Sequence, residues 1–373
     1  MPRLNQVCRS ITRLLIHSNL VVILFCSQLV GCTFAHAQSQ QYRGKKSKII
    51  DVIAFGSCAR EDRAQPIWQQ IVAQRPDLFL FIGDNVYADI PDSPRTVGDI
   101  AAAYRELDAK LGYRKLRQTC PILATWDDHD YGLNDAGREF NLKRQSQQML
   151  LTFFREPADS LRWTREGVYG AWQFGPPEKT VQILLLDTRY FRDSLKQSPE
   201  HREGMGPYVP DEDPSKQLLG EDQWMWLEEH LKKPADVRII GSSIQVVSDE
   251  HGWECWANMP HERKRLYDLI AKTKAGGIFF ISGDRHLIEI SRDQEEGTPY
   301  PMIDFTSSGF NWEKSEVTEA NRFRVSPLLR QPNFGVIRID WNQAQPIVKL
   351  EGRSGTGAML MSYEVSLDEL QVQ

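Results

Sequence analysis

The sequence lacks the features that mark several broad classes of protein. Its 373 residues carry a net charge of only −5, and no basic segment or nucleic-acid-binding motif stands out, so nothing points to nucleic acid as a partner. The apolar run near the N-terminus, residues 20–30, is shorter than the roughly 20 residues that a membrane-spanning helix needs. With 41% hydrophobic and 25% charged residues, the chain has the balance of a soluble globular protein.

Three well-known functional motifs are also absent. No Gly-x-Ser-x-Gly nucleophile elbow is present, which argues against a serine hydrolase of that type. A cysteine phosphatase loop that begins at Cys58 would need arginine at position 64, where the chain has Ala64. The glycine-rich segment 352–357 lacks the Gly-Lys-Ser/Thr ending of a P-loop, so a hairpin turn is the better interpretation.

The first 37 residues predict an export signal rather than a part of the fold. Three arginines precede the apolar run and small residues follow it, which is the pattern of a secretory signal. Two processing sites compete. Leu29–Cys32 resembles a bacterial lipobox, in which Cys32 would be lipidated, whereas cleavage after Ala37 would release a soluble protein. In either case we expect an exported protein that is periplasmic, secreted or lipid-anchored at the cell surface.

Cysteine is scarce, and export would remove or lipidate three of the six cysteines. The remaining Cys58, Cys120 and Cys255 are odd in number, so in an oxidising compartment at least one of them is free or bound to something else. Cys58 lies within a motif at the end of a predicted strand and is therefore the candidate ligand. A disulfide between Cys120 and Cys255 stays open at this point.

The rest of the chain predicts alternating strands and helices, followed by strands with turns after Pro301. We expect a flexible lead-in at residues 38–47 and one domain over residues 48–373, because no repeat or clear linker divides it. The pattern predicts a single helix from about Val97 to Leu116. Residues 192–214 predict a long loop, and loops of this length inside a domain are more often functional or mobile than inert.

Ligand-competent side chains follow four of the predicted strands, at the point where each strand ends. They are Cys58, Asp84, the acidic residues around His129, and the pair Asp284 and His286. Each motif alone is weak, since Gly-Asp is common in turns and aspartates often cap helices. The carboxyl ends of strands in an open α/β sheet share one edge, so we expect all four groups to meet in one crevice. Gathered acids, a thiol and imidazoles repel one another unless cations hold them, which favours a metal site.

The motifs occur in a recognisable order: Gly-Ser-Cys, Gly-Asp-x-x-Tyr-Ala-Asp, Trp-Asp-Asp-His-Asp, Asp-Thr-Arg and Ser-Gly-Asp-Arg-His. This set resembles the PhoD-like (alkaline phosphatase D) family of calcineurin-like metallophosphatases, over roughly residues 49–306. The resemblance implies a four-layer α/β/β/α sandwich, in which two mixed sheets are flanked by helices and metals lie at the strand ends. We expect the chain to lack the separate N-terminal β-domain of longer members.

By position, the resemblance implies six metal ligands: Cys58, Asp84, Tyr87, Asp128, Asp284 and His286. Asp84 would bridge two metals. Thiolate, phenolate and carboxylate ligands together suit Fe³⁺ better than Zn²⁺ alone. The second, oxygen-rich position suits a hard cation such as Ca²⁺, with Mg²⁺ or Mn²⁺ as alternatives.

The implied activity is hydrolysis of phosphate esters by a metal-bound hydroxide, without a covalent enzyme intermediate. His129 would protonate the leaving alkoxide, and Arg189 would hold a phosphate oxygen. Arg60 is a further candidate for phosphate, although an ordinary surface arginine explains it equally well. Trp253 and Trp312 follow predicted strands and would either wall a substrate cleft or pack structurally, as would Trp256.

Two alternative functions remain open at the level of sequence. The first is a phosphodiesterase that acts on phospholipid, nucleotide or wall polymer. The second is a non-catalytic exported binding protein on the same scaffold, against which the complete ligand set argues. Contact with a membrane is expected only through a lipid anchor at Cys32.

Overall fold

The computed structural model describes residues 47–89, 96–312 and 319–372. The predicted export signal and nearly all of the predicted lead-in lie outside these ranges. Two mixed sheets of six strands each form the centre of the described part of the chain. Among its helices, none is both long enough and apolar enough to cross a bilayer.

The first sheet has the strand order β12-β11-β10-β1-β2-β3. Its strands are β1 (Val52–Gly56), β2 (Leu78–Ile82), β3 (Ile122–Thr125), β10 (Asn333–Asp340), β11 (Ile347–Ser354) and β12 (Met359–Ser366). Strands β1, β2 and β3 are mutually parallel, whereas β10, β11 and β12 continue from β1 as an antiparallel meander. A hairpin turn joins β11 to β12 as predicted, but it begins after Ser354, and residues 352–354 of the predicted turn belong to β11.

The second sheet has the order β4-β5-β6-β7-β9-β8. Its strands are β4 (Gly170–Phe174), β5 (Val181–Leu185), β6 (Val237–Ser242), β7 (Ile278–Ser282), β8 (Ile288–Asp293) and β9 (Met302–Ser307). Strands β5, β6, β7 and β9 run parallel, and antiparallel β4 and β8 form the two edges.

Helices cover the outer face of each sheet. They are α1 (Ile67–Ala73), α2 (Val97–Ala109), α3 (Leu111–Thr119), α5 (Lys143–Phe153), α6 (Glu221–Leu231) and α7 (Pro260–Thr273), whereas the short α4 (Asp128–Tyr131) lies just after the end of β3. Strand β2 shows why the layers form, because successive side chains of a strand point to opposite faces. Leu78 and Leu80 lie in the core between the sheets, while Phe79 and Phe81 lie with Trp68 of α1 in the core under the helices. The predicted four-layer α/β/β/α sandwich is confirmed.

The predicted single helix at residues 97–116 is wrong in one respect, since the chain turns extended at Lys110 and forms two helices. In a continuous helix Leu111 would share the buried face of Leu107, four residues earlier. It is instead 80% exposed. The break gives Tyr113 and Leu116 access to the core that a continuous helix would deny them.

Candidate metal centre

The carboxyl ends of the parallel strands of both sheets meet at one place. After β2, Gly83 has φ +106°, and a Cβ there would lie 2.6 Å from the Cβ of Asp127, just after β3. After β7, the backbone N–H of Gly283 donates to the carbonyl of Ser243, which follows β6 (3.0 Å). A Cβ on Gly283 would lie 2.7 Å from Ser57 Oγ, after β1. These close approaches bring the two sheet edges together.

Four of the predicted ligands have a left-handed backbone. The φ angles are +60° at Cys58, +47° at Asp84, +67° at Asp284 and +54° at His286. Each such residue costs about 1–3 kcal/mol when it is not glycine, and residues of this kind cluster at functional sites. The surrounding fold therefore holds these side chains in orientations that local preference alone would not select.

A first group of ligand atoms surrounds Oδ2 of Asp84. The Cys58 thiol donates to this oxygen (3.3 Å), and the Tyr87 hydroxyl lies 3.1 Å from it. The same hydroxyl lies 2.9 Å from Nε2 of His286. Ligand atoms of Cys58, Asp84 and His286 all lie within 4.8 Å of one another. Four residues predicted as ligands thus share one centre.

A second group surrounds Oδ1 of the same aspartate. The backbone N–H of His129 lies 3.3 Å from Asp84 Oδ1 and 2.9 Å from Asp128 Oδ1. Ligand atoms of Asp84, Asp128 and His129 lie within 4.8 Å of one another. Asp84 therefore belongs to both groups and turns one oxygen toward each, which is the arrangement that a bridging carboxylate requires.

A third group contains two residues that the sequence did not single out. Ligand atoms of Asp128, Asp135 and Glu254 lie within 4.8 Å of one another. Asp135 follows α4 in a loop, and Glu254 lies 12 residues beyond the end of β6. Neither position ends a strand, so no pattern in the sequence indicated them.

Asp284 lies beside these groups rather than within any of the three. Its Oδ2 is 3.4 Å from a guanidinium nitrogen of Arg285. The negative charge of Asp284 raises the pKa values of Cys58 and Asp127, although burial is the larger cause at both. Burial raises the pKa of Asp284 itself to about 6.

Burial and mutual repulsion favour the protonated forms of the side chains in the first group. Desolvation raises the pKa values of Cys58, Asp84 and Tyr87 well above their usual ranges, and the charge of Asp84 raises those of Cys58 and Tyr87 further. A cation placed among these atoms reverses this effect, because it stabilises thiolate, carboxylate and phenolate together.

His129 is held at Nδ1 by Asp89, a residue of the Tyr-Ala-Asp motif. The two atoms are 2.6 Å apart. An ionised carboxylate only accepts hydrogen bonds, so Nδ1 carries a proton there and Nε2 is left for another partner. Burial opposes the charged imidazole, but the charges of Asp128 and Asp84 and the bond to Asp89 outweigh it, and the pKa of His129 is raised well above its usual range.

The two arginines predicted to hold phosphate have different surroundings. Arg189 is fully buried, and its guanidinium donates to Asp127 (2.6 Å) and to both oxygens of Glu254 (2.8 and 2.5 Å). This geometry does not support phosphate binding by Arg189, because contact with substrate would break a buried charge network. Arg60 pairs with Asp62, and for this residue phosphate binding stays a prediction.

The three tryptophans also differ. Trp256 is fully buried and donates to Ser242 Oγ (3.0 Å), so it is a packing residue. Trp312 stacks on His286 with ring centroids 4.1 Å apart and planes at 13°, and its Nε1 donates to the Tyr87 hydroxyl (3.1 Å). It therefore touches two of the predicted ligands. Trp253 is 36% exposed.

The structure also bears on the open disulfide between Cys120 and Cys255 and on the predicted long loop. Cys120 and Cys255 do not form a disulfide among the described residues. The predicted long loop at residues 192–214 contains no helix or strand, only an isolated bridge between Gln197 and Tyr208.

Comparison of the chain with known proteins finds one matching family and several solved structures with a similar fold. A family model described as PhoD-like phosphatase matches residues 53–322. No curated protein matches the sequence. Among solved structures, one of PhoD has a TM-score of 0.67 and 15% identity, with 88% of this chain and 72% of that chain covered.

Two further solved structures share the fold. Purple acid phosphatase PPD1 from yellow lupin (Lupinus luteus) seeds has a TM-score of 0.58 and 14% identity, with 86% of this chain and 54% of that chain covered. GAP50 of Plasmodium has a TM-score of 0.54 and 13% identity, with 87% of this chain and 90% of that chain covered. At these identities the likeness concerns the fold alone.

Proposed function

The chain belongs to the PhoD-like phosphatase family and is a phosphoric ester hydrolase, and we propose that it works with at least two cations held at the strand ends. The observation that carries this proposal is the position of Asp84. One of its oxygens faces the thiol, phenol and imidazole group, and the other faces the group of Asp128 and His129.

The side chains present fit such cations. In the first group, Cys58, Asp84, Tyr87 and His286 would hold the first ion, for which we propose Fe³⁺. A thiolate, a phenolate and a carboxylate supply three negative charges, which match a trivalent ion. In the second, Asp84 and Asp128, with Asp284 nearby, offer carboxylate oxygens. These suit Ca²⁺, with Mg²⁺, Mn²⁺ or Zn²⁺ as alternatives.

The cations, when bound, would supply the nucleophile by lowering the pKa of a shared water and would offset the charge of the phosphoryl oxygens. The chain itself supplies the proton for the leaving group. Burial opposes the charged form of His129, but without metal the carboxylates of Asp128, Asp84 and Asp89 raise its pKa, and Asp89 continues to hold Nδ1–H when cations occupy the other two. The Nε2–H of His129 is then the acid that protonates the departing alkoxide. Arg60 is the proposed contact for a phosphate oxygen.

Arg189 has a positioning role in this proposal. It joins Asp127, which precedes Asp128, to Glu254 of the third group. Attraction from His129 and Arg189 outweighs burial and lowers the pKa of Asp128. The buried guanidinium thus keeps a predicted ligand ionised without touching substrate.

Phosphate monoesters are the proposed substrates, with diesters of phospholipid, nucleotide or wall polymer as the alternative. A binding role without catalysis is the other alternative. GAP50 is described as the anchor in the inner membrane complex of Plasmodium, so a protein of this fold has an attachment role. The complete set of ligand atoms in this chain favours catalysis. We also propose export, on the strength of the arginines and apolar run before residue 37.

Elemental analysis combined with hydrolysis of 4-nitrophenyl phosphate and bis(4-nitrophenyl) phosphate tests the proposal. The purified protein should contain iron and a second metal, and the two esters distinguish monoesterase from diesterase activity. Asp84→Asn should lose metal and activity together, because it removes the charge that both ions share. Asp268→Asn on the exposed face of α7 is the matched control and should lose neither. A wild-type protein that is metal-free and inactive would instead favour the alternative of a binding role without catalysis.

A further inference from the structure

A cavity of about 420 Å³ lies between the loop 196–209 and the side chain of Trp253. The loop doubles back on itself as a narrow hairpin. The backbone N–H of Ser198 donates to the carbonyl of Pro207 (2.6 Å), and that of Val209 donates to the carbonyl of Lys196 (3.0 Å). We refer to this segment as the 196–209 hairpin. The volume of the cavity falls in the range of small-molecule binding sites.

Hydrogen bonds hold the 196–209 hairpin against its neighbours. The backbone N–H groups of Gly206 and Tyr208 donate to the carbonyls of His251 and Gly252, both at 2.8 Å. The Tyr208 hydroxyl donates to Oδ2 of Asp135 (2.5 Å), which belongs to the third group of ligand atoms. The hairpin is therefore attached to the third group, which shares Asp128 with the proposed second cation position.

The opposite wall is attached to the metal centre as well. The guanidinium of Arg285 lies over the Trp253 ring, 4.8 Å from its centroid, and a nitrogen of the same group is 3.4 Å from Asp284 Oδ2. Glu254, the residue after Trp253, is a member of the third group. One guanidinium thus separates the indole from a predicted metal ligand.

The lining of the cavity is mixed, with apolar and flat surfaces beside the polar side chains of Gln197, Ser198, Glu200 and His201. Trp253 is 36% exposed, and Met205, Pro199 and Pro207 line the same space. Arg202 also lines it, but its guanidinium donates to the hairpin's own carbonyl at Gly206 (2.8 Å) and so serves the hairpin rather than a ligand. Glu200 brings a carboxylate to this lining and disfavours an anionic group there, whereas the exposed face of Trp253 suits a neutral ring.

We infer that this cavity binds the alcohol portion of the ester and favours an aromatic ring, of an aryl or a nucleoside group, stacked on Trp253. The inference rests on the proposed phosphatase function, because the phosphate must sit at the metal centre for its alcohol to reach the cavity. Stacking of this kind tolerates different rings and substituents, because every aromatic ring has a π-face.

The simpler explanation is that Trp253 only supports Arg285. Arg285 is already held by Glu319, whose two oxygens lie 2.5 and 3.4 Å from its nitrogens. A supporting role would affect all substrates equally, whereas a ring-binding role affects only those that carry a ring. The two explanations therefore predict different substrate ratios.

The test compares benzyl phosphate with ethyl phosphate, because both have primary alcohol leaving groups and differ in the ring. In Trp253→Ala the ratio of kcat/KM for benzyl over ethyl phosphate should fall at least about five-fold, the lower end of a stacking contribution. Trp253→Phe should restore most of the ratio. Met205→Ala should lower it in the same direction, and Met225→Ala, on the exposed surface of α6, should leave it unchanged.

Equilibrium binding of benzylphosphonate and methylphosphonate to the metal-loaded protein provides a second measurement that needs no turnover. Loss of the benzyl preference in Trp253→Ala supports the inference. An unchanged ratio, or an equal fall for both esters and both phosphonates, overturns it while leaving the phosphatase proposal intact. A wild-type protein that hydrolyses neither ester and binds neither phosphonate overturns the proposed function, and this inference with it.

Discussion

Replacing His129 with alanine separates its role as an acid from a role as a metal ligand. The side chain is 15% exposed, its Nδ1 is bound to Asp89, and its ring packs on Tyr87 with centroids 4.1 Å apart. The backbone N–H that contacts Asp84 and Asp128 does not depend on the side chain. We therefore expect His129→Ala to keep its metal content and to lose the proton donor.

The size of the loss should depend on the leaving group. General acid catalysis contributes about 10²–10⁴-fold, so kcat/KM for ethyl phosphate should fall by that factor. For 4-nitrophenyl phosphate the fall should be less than about ten-fold, because nitrophenolate leaves readily without a proton. The assay is the pair of rate constants measured on protein whose metal content has been determined by elemental analysis.

Asp89→Asn provides a companion measurement. Removing this carboxylate lowers the pKa of His129, because one of the interactions that raise it is lost. His129 then loses its proton at a lower pH, so the alkaline limb of the pH–rate profile should move to lower pH.

In His129→Ala, an equal loss of kcat/KM on both esters would refute the acid role, and loss of metal would identify His129 as a ligand.

Arg189→Met should lower the free energy of unfolding by about 3–5 kcal/mol in urea denaturation, since it leaves buried carboxylates unpaired. The exposed pair of Lys233 and Glu229 offers a control, and Lys233→Met should cost less than about 1 kcal/mol. Cation binding at pH 7 should release protons and strengthen as pH rises, because burial raises the pKa of the Cys58 thiol and a cation binds its thiolate. Equal calorimetric heats in buffers of different ionisation enthalpy would contradict this. Trp312→Phe keeps a ring on His286 but removes the donor to Tyr87. In the iron-loaded protein the phenolate absorption band should then move to longer wavelength, and an unmoved band would show that the hydrogen bond is unimportant.

The central strands could be predicted from the sequence because they are buried on both faces. Leu78–Ile82 and Ile278–Ser282 are continuous apolar runs, and the structure has strands with those bounds. Strand β8 was missed, since Ile288–Asp293 mixes charged and apolar residues and occupies an edge of its sheet. The polar side chains of β8 are nevertheless buried, because Asn321 and Arg324 from a later segment pair with Ser291 and Glu289, and no local apolar pattern signals that burial.

Roles that depend on contacts between distant segments of the chain could not be predicted from the sequence. Glu254 meets Asp128 only because the chain after β6 returns to the strand ends. Arg189 ends a strand, as a substrate-binding arginine would, but its side chain points into a buried network. A position at the end of a strand determines where the Cα lies, but it does not determine which neighbours bury the side chain.

The order of motifs, through its resemblance to a known family, implied the layered fold. The runs of apolar residues placed Cys58, Asp84 and His286 at strand ends, which share a common edge. Only the tertiary structure decided which oxygen of Asp84 faces which group, that Asp89 holds His129, and that Trp253 walls a cavity beside the centre. Those features depend on packing between segments far apart in the chain, which no local pattern encodes.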